Sequence, residues 1–374
     1  MGLRIFFAGD VVVSANRETD LVAPDMAKII KNCDVACCNF EAPVSEVNQK
    51  PSPKIGPSLS QNSHTAELLK RAGFNLFSIA NNHIMDYGKN GLIRTLKAFE
   101  ELGVPYIGAG LTSKEVYAPY IVEHGNLKVG VIAVAENGFG SHEGTKDSGY
   151  AWFGAEKFEE TLHSLKEICD HIIVICHGGA EKWDWPLPEY RKLYKKWIDE
   201  GVTAVVAHHP HVPQGWEEYK NGFIFYSLGN FAFDKGFGIQ NPETISVILN
   251  FEEKKIGYEI IKSKFTEKGI VLDESDSFEE HLKRCNSVLK SSTYIDTVNK
   301  KCVSQFEKHY MGYYLSVANI YTGSLKRILK TIYFKIIKRE RFSELWLYHN
   351  LEIETHYWIC RRAMNLRRKE LSEK

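Results

Sequence analysis

The sequence has no uncharged apolar run of about 18 residues, which is roughly the length that a membrane-spanning helix requires. Its eight cysteines form no Cys-x-x-Cys pair, so neither a zinc ribbon nor a disulfide framework is expected. The first apolar segment is interrupted by Asp10 and is followed by no small-residue cleavage site, unlike a secretory signal peptide. From these absences we expect a cytoplasmic protein with reduced cysteines.

A net charge is also lacking, because 47 Lys and Arg balance 47 Asp and Glu. The balance conceals an asymmetry: residues 324–374 contain 13 basic and 6 acidic side chains, whereas residues 1–323 contain 34 and 41. A nucleic-acid partner is therefore not expected for the body of the chain. Between Leu325 and Arg341, apolar residues at helical spacing alternate with basic ones. Such a helix either packs on its own domain or binds anionic lipid at the inner membrane face, an acidic polymer or a synthase complex.

Hydrophobic residues make up 44% of the chain and charged residues 25%, as in an ordinary globular protein. Up to about residue 265, short apolar segments typical of buried strands alternate with segments of helical period. The strand candidates are residues 3–8, 34–40, 74–80, 171–176, 202–207 and 223–228, the helix candidates are residues 64–73, 89–103, 155–169 and 187–201, and residues 118–134 and 244–265 are predicted hairpins. We therefore predict a mixed α/β domain over residues 1–268 and, because only helical patterns follow, a basic helical region over residues 269–374.

Polar side chains that can bind metal follow the C-terminal ends of the predicted strands, where α/β sheets place their ligand sites. They are Asp10, Asn39, Glu41, Asn81, Asn82, His83, His177, His208, His209, His211, Ser227, Asn230 and Asp234. A mixture of imidazole, carboxylate and amide ligands suits Mn, Fe, Zn or Co better than Ca or Mg. We therefore predict one or two divalent transition metals.

The motifs around these residues resemble, in order and spacing, those of the CapA family, named for capsule and poly-γ-glutamate synthesis proteins. They are GD ending at Asp10, NFEAP at residues 39–43, ANNHIMDYG at 80–88, HGGAE at 177–181, HHPHVPQ at 208–214 and YSLGNFAFD at 226–234. That family is similar to the calcineurin-like metallophosphoesterases, so the resemblance implies a four-layered αββα sandwich with a dinuclear metal centre at one edge. The resemblance covers residues 3–265 and none of the helical tail.

The resemblance also implies a role for each site residue. The metal ligands that it implies are Asp10 and His211 for the first metal, Asn82, His177 and His209 for the second, and Glu41 as the bridge between them. His83 would donate a proton to the leaving group or stabilise the transition state. Val12 stands where classical phosphoesterases have a histidine, so the first metal is expected to have fewer ligands.

Several further polar residues are expected to support the site or line its pocket. They are Asn39, which either caps a turn or reaches the site, Glu181 and Lys182, which would line the pocket, and Asn230 and Asp234, which would hydrogen-bond to the metal ligands. Asp86 is expected to cap the helix that follows it. His208 is not expected to be a ligand, because only alternate residues of an extended segment share a face. No catalytic role is expected for the remaining histidines, including His349 and His356.

These residues favour a metal-dependent hydrolase or transfer factor of CapA type, which acts on a phosphoryl or acyl bond in the biosynthesis of an anionic surface polymer. Its substrate would be an anionic polymer or a phosphorylated compound. The alternative is a non-catalytic, metal-stabilised subunit of a synthase complex that binds the polymer without cutting it. The enzyme is favoured because His83 adds an acid that a purely structural site does not need.

Overall fold

Two β-sheets form the centre of the computed structural model, which describes residues 2–15, 19–45, 49–142, 148–234, 242–252, 255–317, 325, 329 and 341–372. In spatial order the larger sheet contains β17 (Gly269–Leu272), β16 (Lys255–Thr266), β15 (Glu243–Glu252), β1 (Leu3–Val12), β2 (Val35–Phe40), β3 (Leu76–Ser78) and β4 (Tyr106–Ile107), and β14 (Asn230–Phe233) pairs with β1. Strands β1 to β4 and β14 pair in parallel, whereas β15, β16 and β17 join the sheet as antiparallel neighbours.

The smaller sheet is also parallel at its centre and antiparallel at its edges. Its spatial order is β12 (Trp216–Tyr219), β13 (Gly222–Phe225), β11 (Ala204–His208), β10 (His171–His177), β7 (Leu127–Ala135) and β6 (Tyr120–His124). A third, short sheet contains β5 (Ala109–Gly110), β9 (Gly149–Ala151) and β8 (Ser141–His142). The hairpin predicted for residues 118–134 is confirmed, because β6 and β7 pair antiparallel around the turn after His124.

The two large sheets pack face to face. The ring of Tyr258 on β16 lies with its centroid 5.2 Å from that of Phe223 and 5.4 Å from that of Phe225, both on β13. Side chains alternate across a strand, so Ile173 of β10 lies in the hydrophobic cluster between the sheets, while its neighbour Val174 lies in the cluster on the far side. Each sheet therefore buries both faces, which explains the nearly continuous apolar runs in its parallel strands.

Helices cover the outer faces and complete the predicted αββα arrangement. The larger sheet is covered by α1 (Pro24–Lys31), α2 (Thr65–Ala72) and α3 (Gly88–Leu102), the smaller sheet by α5 (Glu156–Ile168) and α6 (Pro188–Asp199), and α4 (Ser113–Val116) is a single turn beside β5. Helix α6 directs Tyr190, Tyr194 and Trp197 into the cluster that contains Val174. The fold is an α/β sandwich, as the sequence predicts.

The region after the sheets is helical, as predicted. It contains α7 (Asp276–Lys290), α8 (Tyr294–Gln305), a π-helical turn (Phe306–Tyr310), α9 (Met311–Val317), α10 (Arg341–Leu351) and α11 (Glu354–Ser372). Leu282 of α7 packs in the cluster between the sheets, and Tyr294 of α8 donates a hydrogen bond of 2.8 Å to the carbonyl oxygen of Pro186. Within the described residues, no helix is both long and apolar enough to cross a bilayer.

The larger sheet extends four residues beyond Lys268, near which the sequence pattern places the end of the strands. Gly269, whose positive φ of 93° places it at the end of a tight turn, begins β17, which pairs with β16 as far as Leu272. A boundary at Lys268 would divide this hairpin. Since α7 and α8 also contribute to the hydrophobic clusters of the sandwich, the helical region packs directly on the α/β part, and its division into a separate domain stays a prediction.

We predict that Phe99→Ala strongly destabilises the larger sheet and its helices. Phe99 of α3 is fully buried, and its ring centroid lies 4.8 Å from that of Phe77 and 5.0 Å from that of Phe40. The free energy of unfolding, measured by urea denaturation, should fall by about 3–5 kcal/mol. Lys97→Ala on the same helix is the control, since that side chain is 71% exposed. Equal urea concentrations at the unfolding midpoint of the two variants would contradict the packing of Phe99.

Candidate metal centre

The polar side chains predicted to form the site lie at one edge of the sandwich, where parallel strands of both sheets end. β1 carries Asp10, and Glu41 follows β2 directly. β10 ends at His177 and β11 ends at His208, so that His209 and His211 come from the connection that follows. Because the strands are parallel, their C-terminal ends meet at one edge, and the two sheets contribute ligands to the same site.

An irregularity of the backbone at Asp10 directs its side chain toward the site. The register of β1 shifts at Asp10 against both β2 and β14, and such bulges often redirect a side chain beside an active site. The preceding residue must be small, since a Cβ added at Gly9 would lie 2.0 Å from the carbonyl oxygen of Gly229. The N–H of Asp10 donates to the same carbonyl oxygen at 3.0 Å. These contacts hold the carboxylate of Asp10 in the site.

His209 and His211 reach the site through left-handed backbone. Their φ angles are 94° and 59°, which cost roughly 1–3 kcal/mol each for residues other than glycine. The segment is therefore not extended, and the expectation that only alternate residues share a face does not hold for it. His208 also faces the site, with Nδ1 at 3.5 Å from Oδ1 of Asp10.

Two overlapping groups of three side chains offer ligand atoms within 4.8 Å of one another. One group contains Asp10, Glu41 and His211, and the other contains Glu41, His177 and His209. Oδ1 of Asn82 lies 3.0 Å from Nε2 of His177, so Asn82 adjoins the second group. The structure thus brings together the six residues that the resemblance implies as ligands, with Glu41 common to both groups.

The carboxylate of Glu41 fits a cation better than it fits the protein around it. Its side chain is fully buried, and among the described residues none donates a hydrogen bond to either oxygen. Burial and the nearby Asp10 raise the pKa of Glu41 well above its usual value. A buried carboxylate without donors is strongly unfavourable unless a positive charge neutralises it. The donor set therefore matches the divalent transition metals predicted from the sequence.

The histidines of the site differ in their affinity for protons. Burial and the neighbouring His209 lower the pKa of His177 well below its usual value, so its imidazole is neutral at pH 7. Burial also opposes protonation of His211, but Glu41 and Asp10 outweigh it and raise the pKa to about 10. Because a metal ligand must be unprotonated, metal binding at His211 has to displace a proton.

Two asparagines support the ligands through hydrogen bonds. Nδ2 of Asn39 lies 2.7 Å from Oδ1 of Asp10 and 3.0 Å from Nδ1 of His177, so Asn39 reaches the site instead of capping a turn. Oδ1 of Asn230 lies 3.0 Å from Nδ1 of His211. Such partners fix the orientation of a ligand ring and increase its basicity.

Asp234, Glu181 and Lys182 were also predicted to support the site or to line its pocket. Asp234 does not contact the ligands in the described structure, which contradicts the expected hydrogen bonds; its carboxylate accepts hydrogen bonds from Ser14 and from the N–H of Ala15. It lies four residues beyond Asn230 on an extended strand, about 13 Å further on. Glu181 lines the cavity described below. Lys182 has left-handed backbone with an exposed side chain, and its N–H donates to the carbonyl oxygen of Pro210 at 2.9 Å.

A buried cluster of Lys54, His83 and Asp86 adjoins the ligands. Oδ2 of Asp86 lies 2.7 Å from Nδ1 of His83, and the same oxygen accepts a hydrogen bond from the N–H of Leu59 at 2.7 Å. Nζ of Lys54 contacts both Asp86 and His83. The expectation that Asp86 caps the following helix is wrong, because α3 begins at Gly88 with Tyr87 as its N-cap. The spacing of three residues between His83 and Asp86 is the signal that could have identified this pair.

A cavity of about 80 Å³ lies beside these residues. Its walls include Lys54, Asn82, His83, Glu136, Glu181, His209, His349, Ile353 and His356. His349 and His356, for which no catalytic role was expected, belong to α10 and α11 and line this cavity. Their sequence neighbourhood carries no motif, and only the fold brings them to the cavity.

Comparison with known proteins identifies the family. The family model described as bacterial capsule synthesis protein PGA_cap matches residues 4–235, which is more than half of the chain. This chain is a member of the PGA_cap family. The capsule biosynthesis protein CapA of Bacillus anthracis is 34% identical over 226 residues, covering 59% of this chain and 55% of that protein. The PGA biosynthesis protein CapA of Bacillus subtilis strain 168 is 30% identical over 263 residues, covering 67% and 68%.

The chain thus spans about half of the B. anthracis relative and about two thirds of the B. subtilis one. Two solved structures that are distantly similar to this PGA_cap protein are nucleotidases. The NAD nucleotidase of Haemophilus influenzae has a TM-score of 0.43 and 12% identity, covering 76% of this chain and 55% of that chain. The 5′-nucleotidase of Candida albicans has a TM-score of 0.41 and 10% identity, covering 80% and 56%.

We predict that the double variant His177→Ala, His209→Ala loses the metal bound at the second group of ligands. Each lost ligand should weaken binding by more than the roughly 10- to 100-fold effect of removing a supporting hydrogen bond. Elemental analysis after dialysis measures the metal that remains. His163→Ala is the control, because His163 lies on α5 with its side chain 77% exposed. Stoichiometric metal in the double variant would contradict the ligand assignment.

Proposed function

We propose that this PGA_cap protein is a dinuclear metal-dependent hydrolase or transfer factor that acts on a phosphoryl or acyl bond. The observation that carries the proposal is the buried Glu41, shared by two groups of ligands and without a hydrogen-bond donor among the described residues. When bound, two divalent ions would activate a water molecule and clamp the oxygens of the displacement.

The residues around the ligands supply the remaining functions of such a site. His83 lines the cavity and has its Nδ1 held by Asp86, which leaves Nε2 as the ring nitrogen that can exchange a proton with a bound substrate. Lys54 is nearly buried in the same cluster, with 7% of its side chain exposed, and places a positive charge beside the cavity. Both groups favour a substrate that develops negative charge during the reaction.

The names of two relatives and the polar groups of the site support a proposal for the substrate class. The names of the two CapA relatives refer to capsule and PGA biosynthesis. We propose that this chain acts in the synthesis of an anionic surface polymer, on the polymer itself or on a phosphorylated precursor. A cavity with Lys54, His83 and neighbouring metal ligands suits the anionic groups of either substrate.

Two measurements in sequence test this proposal. Elemental analysis of the purified protein comes first, followed by a screen with bis(p-nitrophenyl) phosphate for phosphodiester hydrolysis and γ-glutamyl-p-nitroanilide for acyl transfer. Turnover that depends on the bound metal supports the enzyme. Stoichiometric metal without turnover of either substrate favours the alternative, a polymer-binding subunit of a synthase complex.

We predict that His83→Ala keeps its metal and loses turnover. General acid catalysis contributes roughly 10²- to 10⁴-fold to a reaction rate, and removal of His83 should reduce kcat by that factor. Metal content and kcat are measured on the same preparation, with His163→Ala as the matched control. A parallel loss of metal and activity would instead make His83 a ligand.

We also predict that the basic tail binds anionic membranes reversibly. Leu325 and Leu329 have 72% and 56% of their surface exposed, whereas residues 326–328 and 330–340 of the predicted amphipathic segment lie outside the described residues. Each Lys or Arg near an anionic bilayer contributes about 1 kcal/mol, and salt screens the attraction. Full-length protein should sediment with phosphatidylserine vesicles at low salt but not at high salt, nor with phosphatidylcholine vesicles. If the protein stays in the supernatant at low salt, the membrane prediction is wrong, and the alternative, a helix that packs on its own domain, is favoured.

A further inference from the structure

The C-terminal helices supply one wall of the cavity beside the metal ligands. His349 belongs to α10, and Ile353 and His356 lie in the connection to α11 and in its first turns. The family match ends at residue 235, so this wall lies outside the part of the chain that defines the family. Whatever these residues contribute to the site is therefore a property of this chain's C-terminal region.

Hydrogen bonds from the residues after β7 and β9 hold this wall in place. The carboxylate of Glu354 accepts from the N–H of Asn137 at 2.6 Å and from Nε1 of Trp152 at 2.7 Å. The N–H of Thr355 donates to Glu136 at 3.0 Å. Because these bonds are buried or partly buried and span more than 200 residues of sequence, they fix the start of α11 against the sandwich.

His349 has a ring nitrogen that the protein does not use. Its Nδ1 is buried and has no hydrogen-bond partner among the described residues. The ring packs against His356, with 3.9 Å between centroids, and against Phe139 at 6.3 Å. Nδ1 of His356, in contrast, is held by the hydroxyl of Tyr310. Since buried polar atoms in native proteins almost always have a partner, the nitrogen of His349 is available to a bound group.

The cavity limits the size of that group. A volume of about 80 Å³ corresponds to two or three water molecules at roughly 30 Å³ each. One phosphate or carboxylate group fits a space of this order. Lys54, which is ion-paired with Asp86, also lines the cavity and can donate a further hydrogen bond to such an oxyanion.

We propose that Nδ1 of His349 donates a hydrogen bond to an oxyanion, a phosphate or a carboxylate group, of the substrate bound beside the metal ligands, in the cavity that Lys54 also lines. The inference rests on the proposed function, because the oxyanion is the group adjacent to the bond that reacts. His349 is thereby a substrate-binding residue that the C-terminal region adds to the site.

Calorimetric titration of the Zn²⁺-loaded, full-length protein tests the proposal, with inorganic phosphate in one arm and acetate in the other. His349→Phe keeps the ring packing on Phe139 and removes the nitrogen, and it should weaken binding of the preferred anion by about 10- to 100-fold, as expected when a hydrogen bond to a charged group is lost. His349→Asn places an amide near the former Nδ1 and should restore most of the affinity. His163→Phe, at an exposed histidine, should bind as the parent does.

Nitrogen NMR of the histidine rings adds a readout that a purely structural role would not change. Saturating anion should shift the ring nitrogens of His349 in the parent, identified by their loss in His349→Phe. The proposal is overturned if the parent binds neither anion at millimolar concentration, or if His349→Phe binds as tightly as the parent or more tightly. Anion binding that depends on His349 without turnover in the parent would count against the hydrolase but not against this subsite.

Discussion

The buried carboxylate of Glu41 is the constraint on which the rest of the site depends. Oε1 lies 3.6 Å from Nε2 of His177 and 3.6 Å from Nε2 of His211, distances too long for hydrogen bonds but suited to a cation between the groups. The nearby Asp10 adds a second buried carboxylate, and two such groups repel each other unless one binds a proton or both bind a cation. The edge of the sandwich is thus suited to a cation, and binding of one there would stabilise the fold around it.

This arrangement requires both sheets to end at the same place. Asp10 and Glu41 come from the larger sheet, whereas His177 and the histidines after β11 come from the smaller one. The left-handed residues His209 and His211 add strain that the closely packed sheets have to compensate. Gly9 packs closely against the carbonyl of Gly229, which holds β1 and β14 together beneath the site. The hydrophobic core therefore acts on function by fixing strand ends, not only by stabilising the fold.

How far the sequence predicts this protein depends on whether a signal is local. Buried parallel strands leave apolar runs and strand ends leave polar clusters, so the mixed α/β domain and the polar strand ends follow from the pattern, whereas the sandwich and the ligand set around Glu41 were implied by the family resemblance. The strand ending at Leu272 was missed because four residues after a turn carry too little pattern to distinguish strand from coil. Lys54 and His349 were missed for a different reason. Their role comes from contacts across 29 residues or more, such as Lys54 with His83, and no spacing rule encodes those contacts.

The position of the C-terminal helices constrains the chemistry that the site can perform. His349 and His356 form part of the cavity wall, and the space beside the ligands is small, about 80 Å³. For the proposed polymer substrate, a chain end fits this space more readily than an internal bond, because an internal bond requires chain to leave the cavity on both sides. Internal cleavage would need α10 and α11 to separate from the sandwich, which breaks the buried hydrogen bonds of Glu354 and Thr355. Since such bonds stabilise by about 1 kcal/mol each and by more when charged, the closed arrangement is more compatible with the proposed reaction at a terminus, or on a small phosphorylated precursor, than with internal cleavage.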